Sequence, residues 1–207
     1  LLELNAFFNE EGKDAVRPDG LKADESSSFV DEEKAASVLS EAIYVQNAGI
    51  VLLGPYIPML FKRIDLFDEK KEWKSTKAKM KGLELLHYLA FGTDEMIEYN
   101  TVLNKILVDL PLNLAIPTHI SLSSDDKKMC DSLLASVNQN WTVIKNSSID
   151  NLRGSFLIRE GKLSQLDTHF LLNVEEKGFD MLIDKLPWSF NLIKFNWIQK
   201  PIFVEWR

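Results

Sequence analysis

The sequence predicts an α+β fold: several short helices followed by a small antiparallel sheet formed by the C-terminal strands. Three observations predict it. Apolar residues recur at helical spacing through the middle of the chain, most clearly at Cys130, Leu134, Val137, Trp141 and Ile144. Residues 164–175 alternate, with Leu166, Thr168, Phe170, Leu172 and Val174 on one side, as a strand with one buried face does. The last stretch, from Pro187, holds three of the five tryptophans and two runs of strand character. Helices first and strands segregated after them point to α+β.

The elements follow in order. Residues 1–34 hold ten acids against four bases, a turn signal at Pro18-Asp19-Gly20 and the run Ser26-Ser27-Ser28. They read as an acidic arm or linker, and residues 35–207 as a compact α+β module. A helix is predicted from Asp31, with acids at its positive end and a stripe of Leu39, Ala42, Ile43, Gln46, Ile50 and Leu53. Gly54-Pro55 ends it, and Pro58 suits the first turn of a short helix over Met59 to Ile64. Residues 47–61 are too apolar for a surface loop, so they are core or interface. Lys70 to Lys81 carries six lysines against the single acid Glu72; a solvated helix face and a patch for an anionic partner both fit. Ser75 is the expected N-cap of a helix with Leu83, Leu86 and Ala90 inward, and Gly92 suits its C-terminal stop. An extended Met96 to Asn100, a short helix over Thr101 to Leu110 and a loop from Pro111 to Pro117 come next.

The clearest helix starts at Ser124, Asp125 and Asp126 and is capped at Asn146. Ser147 and Asp150 form a weak capping box for a helix through Leu152 and Phe156, ended by Gly161. After the alternating strand, Lys177-Gly178 turns the chain. Phe179, Leu182, Ile183 and Leu186 then make a short helix. Strands over 189–196 and 201–206, with Pro201 at the second entry, form a terminal hairpin that needs cover from the rest of the chain.

Charge and motifs exclude several function classes. The net charge is −7, of which the first 34 residues hold −6, so the module itself is nearly neutral and lacks the basic face nucleic acid requires. No apolar run approaches a membrane span, and there is no basic n-region of a signal peptide. The absent initiator methionine points to processing or to a piece of something longer. The one cysteine, Cys130, excludes an internal disulfide and sits at a packed helical position. His87, His119 and His169 stand far apart, and no metal, nucleotide or nucleophile-elbow motif occurs. Asp180 and Asp184, at i and i+4, read as a solvated face. Arg153, Arg159 and Glu160 read as an ion-paired junction.

Four stretches, NAGIVLLGPYIPMLFKRIDLF (47–67), LLHYLAFG with VLNKILVDLP (85–111), WTVIKNSSIDNLRGSFLIREGKL (141–163) and NVEEKGFDMLIDKLPWSFNLIKFNWIQKPIFVEW (173–206), resemble the C-terminal module of contractile injection system tape measure proteins. Gly54 and Val108-Asp109 depart from the usual family pattern. The resemblance implies structural work in a phage-tail-like particle, with no enzyme activity and no cofactor. Its implied partners are inner tube, baseplate or central hub proteins and further copies of itself, with no nucleic acid and no membrane span. It implies synthesis in the bacterial cytoplasm, and a place in a cytoplasmic or released particle. Even fully helical, the chain would span only about 310 Å, so a compact module docks and cannot itself be the ruler that sets tube length. Candidate interface residues are Pro55, Tyr56 and Pro58 in a rigid apolar turn, Trp197 and Lys200 at the hairpin tip, and Trp188 and Trp206 beside it. Trp197→Ala is accordingly expected to abolish incorporation and leave melting nearly unchanged. The alternative is a glycan- or peptidoglycan-binding module using the tryptophans as an aromatic platform; a small enzyme with a scattered His/Asp site is a third.

Overall fold

A computed structural model describes residues 42–206. The arm expected over residues 1–34 lies outside the described residues. The chain begins with strand β1 (Ile43–Val45), a 3-10 turn (Ala48–Leu53) and helix α1 (Ile57–Arg63). Helix α2 (Thr76–Phe91), a turn over Glu98–Thr101 and α3 (Val102–Leu107) follow. The longest helix, α4 (Ser124–Asn140), precedes α5 (Ile149–Leu152), which runs on into a π-helical turn (Arg153–Leu157). Then come β2 (Gly161–Gln165), β3 (Phe170–Val174), a 3-10 helix (Asp180–Lys185), β4 (Leu192–Ile193) and β5 (Ile202–Glu205).

The class is α+β, and local chemistry explains the helices. The Ser75 side chain accepts from the Ala78 N–H, and Gly92 closes α2 in the left-handed region at φ 70°, where a side chain is strained. Ser123 and Asp126 form a reciprocal capping box at the start of α4. Its helical stripe ends at Trp141, because the next residues tighten into a 3-10 turn (Thr142–Ile144).

The sheet corrects three expectations. It has five strands in the order β1-β2-β3-β5-β4, and it is mixed rather than antiparallel. β3 and β5 run parallel, with Leu172 opposite Val204. Residues 175–201 cross over through the 3-10 helix and β4 before returning, so β5 enters in the same direction as β3; β4 and β5 pair antiparallel. The single strand expected over 164–175 is a hairpin, β2 and β3, closed by the Leu166 N–H to His169 carbonyl bond at 2.8 Å. The alternation continued straight through that turn and hid it. The helix expected from Asp31 through Leu53 does not persist either. Its described part is β1 and a 3-10 turn, drawn onto the sheet by the Ala48 N–H to Arg159 carbonyl bond at 2.9 Å.

The 3-10 turn Ala48–Leu53 is the centre of the core, and all six residues are buried. It lies between the helical layer and the inner sheet face of Leu163, Leu172, Ile193, Ile202 and Val204. Gly49 is required there: a Cβ would stand 1.7 Å from the Phe156 carbonyl oxygen.

Candidate functional site

Two constructions could serve a function: a buried charged centre that ties the sheet to the helices, and a cleft along the β4 edge. The first begins with Arg159, delivered between the π-helical turn and β2. Its guanidinium meets the Asp180 carboxylate through two hydrogen bonds of 2.8 and 3.0 Å, and both side chains are fully buried. The same two terminal nitrogens also donate to the Glu175 and Ser155 carbonyls, while the buried Nε–H has no partner. Asp180 also accepts from the Lys177 backbone N–H and the Trp206 indole N–H, both at 2.9 Å. The rings of Phe179 and Trp206 stand 5.2 and 5.3 Å from the guanidinium. Burial pushes the Asp180 carboxyl up, but the Arg159, Lys177 and Trp206 donors outweigh it and hold the pKa below the usual carboxylate range. This pair is structural: every polar contact comes from the protein and closes the chain's end onto its middle. Asp180 is thus not on a solvated face, while Asp184 is exposed.

The cleft is lined by Gly54, Pro55, Pro58, Ser189, Leu192, Ile193, Lys194 and Phe195 and has a volume of about 280 Å³. Pro55 is exposed and Pro58 half-buried, but Tyr56 turns into the core, where its ring meets Trp188 edge-on at 5.1 Å. The Asn140 amide donates to the Tyr56 hydroxyl, and burial raises that hydroxyl's pKa.

The C-terminal tryptophans do not share one platform. Trp188 and Trp197 are half-buried and donate their indole N–H groups to the Leu52 and Leu107 carbonyls, while Trp206 is buried on Asp180. Trp197 stacks on Phe195 and touches Phe61, Phe67 and Trp73, so the 66–74 loop and α1 cover what its own hairpin cannot. Trp197→Ala is therefore expected to cost about 2–3 kcal/mol, seen as a lowered thermal midpoint. This differs from the unchanged melting that its place in a turn suggests. Lys200 lies at the hairpin tip and donates to the Leu166 carbonyl.

Other sequence candidates resolve into ordinary packing. In the lysine run, Lys74 pairs with Asp65, Lys79 with Asp109 and Lys81 with Asp126. Arg153 pairs with Asp131 and donates to the Leu89 carbonyl. Burial pushes the Cys130 thiol up to about 12, so it stays protonated at neutral pH. Among the described residues no group of three His, Cys, Asp or Glu could hold a metal ion.

His87 carries a pH dependence. Its Nε2–H donates to the Glu95 carbonyl at 2.8 Å, its ring lies on Phe91, and buried Nδ1 has no partner. Burial lowers its pKa. As pH falls below the ordinary value of about 6.5, the unfolded chain takes the proton before the folded one. Stability from this site is full above that value and lost toward the lower folded pKa. Urea midpoints at pH 7.5 and 5.5, compared with His87→Gln, should show a fall in the parent chain that the variant lacks.

The family model described as contractile injection system tape measure protein matches residues 5–206. No curated protein and no solved structure matches the chain.

Proposed function

We propose a docking role for this chain, which belongs to the contractile injection system tape measure protein family. The folded unit anchors the tape measure to inner tube, baseplate or central hub proteins, beside further copies of itself, and so takes part in setting tube length. It works in a particle assembled in the bacterial cytoplasm, without catalysis.

The observation that carries this reading is the family match over nearly the whole chain. The fold supports an anchor over a ruler. Its longest helix, α4, has 17 residues, about 25 Å at the rise of an α-helix, and the helices fold back on one sheet. No described helix is long and apolar enough to cross a membrane. Pro55 and Leu192, the latter at 48% exposure, offer exposed apolar surface at the cleft, beside half-buried Pro58. A glycan platform would want a row of open indole faces, and each C-terminal indole instead turns its N–H inward.

Pro55→Asp tests the reading in particles made by the producing cell. Pro55 is exposed, so the melting temperature should change by no more than a degree or two, while incorporation into purified particles falls sharply. Full incorporation of a normally folded Pro55→Asp chain would remove this surface from the docking role.

A further inference from the structure

The geometry points to a specific mode of docking: we infer that the open edge of β4 accepts an extended, acidic segment of a partner protein as an added strand. This rests on the docking reading for its setting, but it can be tested without a particle.

β4 is the last strand of the sheet. The Val204 N–H bonds to the Asn191 carbonyl at 2.8 Å, and Leu192 stands opposite Phe203. In an antiparallel pair, residues alternate between bonding their neighbour and pointing their N–H and C=O the other way. Asn191 and Ile193 therefore face β5, while Leu192 directs its backbone N–H and C=O outward, with Lys194 just beyond the strand. Among the described residues no strand pairs with that side.

What lies beside β4 is the cleft, which Leu192, Ile193 and Lys194 line together with Pro55, Pro58 and Phe195. A strand laid along β4 would place alternate side chains in the cleft against Pro55, Pro58 and Phe195. The intervening ones would lie on the outer sheet face, beside exposed Leu192, Lys194 and Phe203. Apolar side chains suit the first set. Charge selects the second. No acidic side chain lines the cleft, while Lys194 lines it and is exposed; Lys62, one helical turn beyond Pro58, is exposed as well. A lysine at a short edge strand ordinarily guards it against indiscriminate pairing. A partner that carries carboxylates at the matching positions converts that guard into an attraction, and main-chain bonds supply the affinity.

The probe is a fluorescein-labelled peptide alternating valine and glutamate over six residues, titrated by anisotropy against the full chain. Two analogues carry backbone N-methyl groups on all valines or on all glutamates. One of the two sets must face β4, so methylating that set should weaken binding by at least about tenfold while the other is tolerated. Lys194→Glu should weaken the unmethylated peptide comparably, with an unchanged melting curve. Absence of binding, tolerance of both methylated analogues, or indifference to Lys194→Glu would each overturn the inference. A peptide of residues 1–34 displacing the probe at lower concentration would also overturn it, because the occupant would then be this chain's own arm. None of these results bears on whether Pro55→Asp enters particles, so docking and its mode fail separately.

Discussion

Asp180→Asn is expected to destabilise the folded unit by about 3–5 kcal/mol, because it leaves the Arg159 guanidinium buried without its counter-charge. Both side chains are fully buried, so no water can replace the carboxylate. The amide keeps one oxygen to accept from Arg159, Lys177 or Trp206, where the carboxylate oxygens now accept from all three. Denaturant titration measures the loss. An Arg159→Leu, Asp180→Leu double variant should lose less than the single one, since a buried pair costs most when halved. A single-variant loss below about 1 kcal/mol would show that water or movement relieves the guanidinium. The sign with pH is also set. The Asp180 pKa is lowered in the fold, so its contribution is complete above the ordinary value of about 3.9. It is lost as pH falls through the folded value.

Trp141→Ala carries the second large effect, about 3–5 kcal/mol. The ring is completely buried at the end of α4, packs on Phe156 at 4.7 Å, and donates its N–H to the Leu182 carbonyl at 3.1 Å. Truncation opens a cavity and leaves that carbonyl without its donor. Trp141→Phe should recover the packing and about half the loss, leaving the missing donor as the remainder. Equal losses for the two variants would assign the whole effect to the hydrogen bond.

How far the fold was legible depends on the range of the forces involved. α2 and α4 were readable because caps and stripes are local: Ser75, Gly92 and Ser123 act within four residues. β1 was not, because Ile43 fits a helical stripe equally well and only pairing with Leu163 decides its state. The β2–β3 turn was hidden by alternation running through Leu166 to His169. The parallel β3–β5 pairing depends on where a 27-residue crossover returns. An ion pair at Arg159 is readable, but its partner Asp180 lies 21 residues away, where its i, i+4 spacing from Asp184 suggests a solvated face. A sequence carries no local signal for such a partnership. Among the candidate interface residues, the turn at Pro55 was readable. The inward rotation of Tyr56 and the capture of Trp206 by Asp180 were not.

Gold labelling of the folded unit in intact particles, viewed by electron microscopy, tests the docking account most directly. An anchor predicts labels confined to one end of the tube, at the same place in particles of every length. Labels spread along the tube would contradict it, because the unit would then line the structure whose length it is proposed to help set.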